Sequence, residues 1–192
     1  RVSAKGRGDP TAVRQLFDWS LEAGLAGQTV RLRCDQEPAI MGLCQDFAGV
    51  RAPAVTLLET SPVSSSSSVA GVNRYCQSLA ADVRALKAQV EQTTGRTLSA
   101  SSSVFAWLPR HAAWLRNRCQ PYLGKATPVV QVNHRSYESE ILTFGAAVMV
   151  HLPRATELPK LEQWWSLGLW LGKTSLSDEH LVGTASVLVT SR

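Results

Sequence analysis

The sequence predicts a mixed α/β core followed by a small β-rich segment. Three observations indicate this class: helical and strand patterns alternate in the first part, two long helical patterns follow, and short β-like runs parted by turn residues fill the last third. Alternating helices and strands are typical of α/β layer architectures. A polar interruption near 125–140 leads us to predict a partial core at 1–125 and a barrel-like or meander appendage at 126–192.

The first elements are predicted from periodicity and from turn residues. Segment 11–23 carries apolar residues near helical spacing and is followed by glycines, which predicts a helix. Segment 29–34 alternates apolar and polar residues, the period of a half-buried strand, and Asp35 stands at its carboxyl end. A short helix is predicted at 38–47 because proline marks its start, and 54–58 reads as a second strand.

Two longer helices are predicted after a serine-rich loop. The five serines at 64–68 predict a loop, which is more typical of a linker than of a functional flap. Apolar residues in steps of three and four across 72–91 line one stripe, which predicts an amphipathic helix. Segment 102–119 has a similar pattern, with His111 on its apolar face, where a core histidine is more typical than a catalyst. Pro109 lies inside that pattern and should kink the helix at a cost of ~3 kcal/mol.

Composition restricts the classes of function. The net charge of +5 fits a polyanionic partner such as nucleic acid, although an ordinary basic protein has a similar balance. The four cysteines are scattered and form no ligand cluster with the four histidines, so we predict reduced, buried thiols and no zinc site. No apolar run approaches the ~20 residues of a membrane span, and 1–10 lacks the apolar centre of a signal peptide. We therefore expect no membrane partner and an intracellular location.

Several short motifs, in order, resemble the integrase of copia-type retroelements. Segment 32–38 looks like the strand of the second catalytic aspartate, and 59–62 with the serine run resembles the flexible active-site loop. Segment 83–87 is similar to the helix that carries the catalytic glutamate. Further similar motifs lie at 107–108, 111–113, 117–118, 124–128, 144–145, 170–172 and 180–184. The resemblance covers nearly the whole chain and implies a ribonuclease H-like fold in the core.

The resemblance also implies metal-dependent cutting and joining of DNA, and it shows which carboxylate ligands this sequence lacks. Integrases of this family cut and join DNA with two metal ions held by two aspartates and a glutamate, which implies Mg²⁺ or Mn²⁺. Asp35 matches the second aspartate and is the implied metal ligand, whereas we expect the first to lie upstream of Arg1 in a longer protein. The glutamate position falls on Asn73, or on Arg74 when counted from the preceding glycine, and neither is a carboxylate.

Three hypotheses follow from these observations. The first is a degenerate integrase remnant that binds DNA, is nuclear where it acts on DNA, and has lost strand transfer. The second is an active integrase segment in which an unrecognised carboxylate replaces the glutamate. The third is a non-enzymatic interaction module that binds a partner helix through the stripe of 72–91, and homo-oligomerisation is left open.

The phosphate contacts predicted first are Arg74, Arg84 and Lys87, followed by Arg31, Arg33, Arg110, Arg116 and Arg118. For each of these cations, a solvated surface charge is the alternative.

Overall fold

A computed structural model of the chain describes residues 10–62, 70–121, 124–151, 164–175 and 177–192. The described residues contain both helices and sheets, so the predicted α/β class is confirmed at this level. They group into two compact units, 1–77 and 78–192. The predicted serine loop and the segment 1–9 lie outside the described residues. Among the helices that are described, none combines the length and the apolar character needed to cross a membrane.

The first unit is built on a β-α-β arrangement. Its elements in chain order are α1 (Pro10–Glu22), β1 (Val30–Cys34), α2 (Pro38–Val50) and β2 (Thr56–Thr60). The strands pair in parallel, with Arg33 opposite Glu59. A parallel pair needs a crossover connection, which α2 provides. All four elements were predicted from the sequence, with ends that differ by a few residues.

Burial distinguishes the two faces of this strand pair. Cys34 on β1, together with Cys44 and Phe47 on α2, is buried, so α2 covers one face of the sheet. Because side chains alternate along a strand, Arg31 and Arg33 lie on the opposite face, where both are exposed. Burial, and secondarily the neighbouring Cys34 thiol, raises the pKa of Cys44 to about 11, which keeps that thiol protonated. All four cysteines are free thiols, but the predicted burial is wrong for Cys76 and Cys119, which are exposed.

The second unit contains helices followed by an antiparallel sheet. Helix α3 (Ala70–Thr94) begins in the first unit and continues into the second. After it come a short 3₁₀ helix (Val104–Ala106), α4 (Trp107–Cys119), α5 (Pro128–Asn133), β3 (Ala147–His151), β4 (Trp165–Lys173), β5 (His180–Thr184) and β6 (Leu188–Ser191). The described strands pair in the order β3-β4-β5-β6, all antiparallel. This order is a meander, one of the two arrangements that the sequence predicted.

Two clusters of apolar residues form the interior of the second unit. The first joins helices to the sheet: Leu108 of α4 is fully buried among Val90, Phe144, Leu171 and Leu181. The second lies on one sheet face and consists of Val150, Trp170, Val182 and Val189. Helix α4 therefore shares a core with the sheet. The limit between 125 and 126 stays a prediction about domain organisation.

Pro109 does not interrupt a helix interior. The segment 102–119 is not one helix, because a 3₁₀ turn comes first and α4 begins at Trp107. Pro109 is therefore the third residue of α4, within the first turn. The N–H groups of a first turn have no acceptor inside the helix, so proline there removes no helical hydrogen bond. The predicted kink and its energetic cost are wrong for this reason.

Candidate functional site

Asp35 lies directly after β1, at the carboxyl end of the parallel pair. Its Oδ1 accepts a hydrogen bond from the Glu37 backbone N–H at 2.8 Å, an Asx turn that leads into α2. The backbone N–H of Ser61, after β2, donates to the Cys34 carbonyl at 2.9 Å. Gln36 Nε2 donates to the Ser61 carbonyl, also at 2.9 Å, which ties the two strand ends together. The Asp35 side chain is exposed at this edge.

The position matched to the catalytic glutamate carries no carboxylate in the structure. Asn73 and Arg74 both lie in the first turns of α3 and are exposed. Within the described ranges, no three His, Cys, Asp or Glu side chains are grouped closely enough to hold a metal ion. A two-metal site needs several converging carboxylates. The described residues, with Asp35 as one exposed carboxylate, do not fit that requirement.

The cations predicted as phosphate contacts on α3 differ in their surroundings. Arg74 and Arg84 are exposed, and neither has an ion-pair or hydrogen-bond partner in the described part of the chain. Lys87 Nζ instead lies 2.6 Å from Glu91 Oε1, one turn further along the helix. The hydrogen bond from Lys87, followed by one from the Leu98 backbone N–H at 2.8 Å, lowers the pKa of Glu91. Lys87 is therefore engaged in a local ion pair.

The arginines of α4 have structural contacts within the second unit. Arg116 forms an ion pair with Asp82 of α3. Arg118 donates from Nη2 to the Ser175 carbonyl at 3.0 Å. Arg110 and Arg118 also cover tryptophan rings of α4, with guanidinium carbons 5.1 and 4.8 Å from the ring centroids. These contacts give each of the three arginines a role in packing, which weakens their assignment as phosphate contacts.

Two arginines of β1 share one carboxylate of β2, which we call the Arg31–Glu59–Arg33 cluster. Arg31 Nε lies 3.0 Å from Glu59 Oε1, and Arg33 Nη2 lies 3.1 Å from Glu59 Oε2. The side chains of Arg31 and Arg33 are 67% and 56% exposed, and that of Glu59 is 34% exposed. From the sequence, the two arginines were predicted phosphate contacts, and Glu59 began the segment that resembles the active-site loop; the structure places Glu59 in β2 instead.

A polar network at the β4–β5 turn was not predicted. Lys173 is buried, and its Nζ lies 3.1 Å from Asp178 Oδ2. The Tyr137 hydroxyl donates to Asp178 Oδ1 at 2.9 Å. Burial opposes ionisation of Asp178, but hydrogen bonds from Ser139, Tyr137 and Lys173 outweigh it and lower its pKa. Burial, and then the bond to Asp178, raises the pKa of Tyr137 to about 12, so the phenol stays protonated and the network stabilises the turn.

Two histidines of the second unit are held in their neutral form. His111 is 3% exposed, which confirms the prediction that it is a core residue, and its Nδ1 has no hydrogen-bond partner among the residues that the structure describes. Burial lowers the pKa of His111 to about 4. His180 Nδ1 accepts a hydrogen bond from Trp170 Nε1 at 2.9 Å, which requires an unprotonated Nδ1. Burial, and then the charge of Lys173, lowers the pKa of His180.

The described residues thus define a mixed α/β protein with one strand-end aspartate, free cations on α3 and a charged cluster on the first sheet. Comparison of the sequence with protein-family models and with curated proteins gives no match. A function for the chain therefore has to be argued from its own residues.

Proposed function

We propose that the chain is a degenerate relative of the copia-type retroelement integrase that binds DNA and has lost strand transfer. The observation that carries this proposal is the position of Asp35 at the carboxyl end of β1, within a parallel β-α-β unit. A ribonuclease H-like core would place its second aspartate at such a strand end. The long helix α3 then follows β2 in the order that the resemblance implies.

The proposed loss of chemistry depends on the available ligands. Mg²⁺ requires hard oxygen ligands in near-octahedral geometry, and strand transfer uses two such ions. At the glutamate position, Asn73 offers one neutral oxygen and Arg74 would repel a cation. Asp35 would then remain as an isolated carboxylate without the partners that a metal pair needs. The same residues leave one alternative, an active integrase with an unrecognised carboxylate.

The proposed DNA binding depends on exposed positive charge. The net charge is +5, and Arg74 and Arg84 are exposed on α3 without partners in the described ranges. Such side chains can contact phosphates without first breaking an internal ion pair. Phosphate contacts release condensed counterions, so affinity that comes from them falls steeply with salt.

Salt-dependent duplex binding tests this function. We expect the chain to bind a fluorescently labelled duplex at about 50 mM salt and to bind about tenfold more weakly at about 200 mM, as two phosphate contacts would produce. Replacing Arg74 and Arg84 with glutamine should reduce the slope of log affinity against log salt by about 1 to 2. The matched control replaces Lys125 and Arg135, which are also exposed, and should change the slope much less. Absence of binding at the lower salt would contradict the proposal.

A second candidate function is favoured by the first turns of α3. Val83, Leu86 and Val90 of the apolar stripe pack into the second unit, but Val72 is 63% exposed and Cys76 is also exposed. This part of the stripe would suit the interaction module, in which α3 binds a partner helix. Under that alternative, the chain would bind duplex DNA weakly, and the Arg74 and Arg84 substitutions would have no specific effect.

A further inference from the structure

The exposed face of the first sheet carries two arginines held by one carboxylate, the Arg31–Glu59–Arg33 cluster. We propose that Arg31 and Arg33 form a binding site for a phosphate of the DNA backbone, and that Glu59 occupies this site in the free protein as a built-in competitor. This inference rests on the proposed DNA-binding function and adds to it a site and a means of regulating affinity.

The backbone fixes the two arginines side by side. Arg31 and Arg33 are two residues apart on β1, so their side chains leave the same face of the sheet. Glu59 is directly opposite Arg33 in the parallel register. Each carboxylate oxygen of Glu59 contacts a nitrogen of one guanidinium group, at 3.0 Å for Arg31 and 3.1 Å for Arg33. The carboxylate therefore marks a position at which an oxyanion is contacted by both arginines at once.

A phosphate can take the place of this carboxylate on chemical grounds. A guanidinium group presents five N–H donors in a planar fork that matches both carboxylate and phosphate oxygens. Each arginine of the cluster uses one nitrogen atom in its contact with Glu59. Further donors are therefore available to a phosphate, whose nonbridging oxygens could accept from both side chains.

Exchanging Glu59 for a phosphate as the partner of Arg31 and Arg33 should lower the folding stability of the protein only slightly. The arginine side chains are 67% and 56% exposed, and exposed ion pairs contribute little to folding because water screens them. Cys34, the one buried residue of β1 and β2, lies on the opposite face beneath α2. Removing the Glu59 charge should therefore free both arginines without disturbing the core of the first unit.

The test compares Glu59→Gln with the unmodified chain in the labelled-duplex assay. We expect Glu59→Gln to bind about tenfold more tightly at about 50 mM salt, with a slope steeper by about 1, as one added phosphate contact would produce. The control is Glu179→Gln, which changes the net charge equally at a surface glutamate paired with Arg192, and should gain less than about twofold. Replacing Arg31 and Arg33 with glutamine in the Glu59→Gln chain should abolish the gain.

A second variant and a competitor complete the test. Glu59→Thr, which also suits a strand, should give the same gain, so the result does not depend on one variant folding. Inorganic phosphate should weaken duplex binding by the Glu59→Gln chain more than sodium chloride does at equal ionic strength, because it competes for the same two arginines. Equal effects of the two salts would overturn a phosphate site at Arg31 and Arg33, and phosphate competition without tighter duplex binding would overturn the DNA backbone as its occupant.

The outcomes distinguish this inference from the proposed function. If the unmodified chain binds with the expected salt dependence, but Glu59→Gln gains no more than Glu179→Gln, the inference is overturned and the function stands. If neither the unmodified chain nor Glu59→Gln binds the duplex, both are overturned. Binding by Glu59→Gln where the unmodified chain does not bind would support occupation of the site by Glu59.

Discussion

Arg51→Met should lower the free energy of unfolding of the first unit by about 3 kcal/mol, because it removes three hydrogen bonds that a buried guanidinium group donates. Arg51 is 5% exposed at the end of α2. Its Nη2 donates to the carbonyls of Leu25 and Gln28 at 2.7 and 2.8 Å, and its Nη1 donates to Thr56 Oγ1 at 2.7 Å. Methionine keeps much of the side-chain volume but supplies no donor. Hydrogen exchange of the amides of the first unit, measured at several denaturant concentrations, gives this change in the free energy of unfolding.

Two further variants separate the hydrogen bonds of Arg51 from its charge. Arg51→Lys keeps the charge, but one ammonium group cannot reproduce the fork that spans the two carbonyls and Thr56. We therefore expect a substantial loss with lysine as well. Arg74→Met removes an exposed arginine of the same unit and should change stability by less than about 0.5 kcal/mol. An Arg51→Met chain as stable as Arg74→Met would contradict the role assigned to Arg51.

Acidification should destabilise the second unit before its carboxylates are protonated. The pKa of His111 is lowered from 6.5 to about 4 by burial, so between these values the unfolded chain binds more protons than the folded chain. This stability is fully present above pH 6.5 and is lost as the pH falls towards 4, to a total of about 3 kcal/mol. His180, whose pKa is also lowered, acts in the same direction. The lowered pKa values of Asp178 and Glu91 add a further loss of stability, which begins as the pH falls through the ordinary carboxyl range and continues below it.

His111→Phe tests this pH dependence directly. Phenylalanine keeps a ring among the neighbouring rings of Trp114, Phe144 and Trp170 but cannot bind a proton. Denaturant unfolding between pH 7 and 4 should show a much shallower loss of stability in this variant. His151→Gln, at an exposed position on β3, is the control and should retain the slope of the unmodified chain. Equal slopes in His111→Phe and the unmodified chain would contradict the assignment.

The sequence predicted the local elements because their periodicity is a local property. Alternation at 29–34 predicts β1, and the spaced apolar residues of 72–91 predict α3, each within a few residues of the observed ends. The start of α4 was missed because Ala106, which precedes it, has no side chain that could cap a helix. The error at Pro109 follows from that missing signal.

Contacts between distant residues could not be predicted in the same way. The position of Asp35 at a strand end was predicted and is observed, because the alternation of one segment fixes it. The pairing of Glu59 with two arginines depends on the register between β1 and β2, which periodicity does not specify. The partners of Arg51 likewise come from a loop and a strand that the chain brings together only on folding. Roles for Asp35 and Asn73 in DNA chemistry stay predictions.

Strand transfer on a labelled duplex with Mn²⁺ tests the proposed loss of chemistry most directly. The assay uses the full-length protein and compares the unmodified form with Asp35→Asn, which removes the matched carboxylate, and with Asn73→Glu, which restores one at the glutamate position. We predict that the unmodified chain binds the duplex in a salt-dependent way and forms no strand-transfer product. A product formed by the unmodified chain and absent with Asp35→Asn would contradict the proposal and show a working metal site at Asp35.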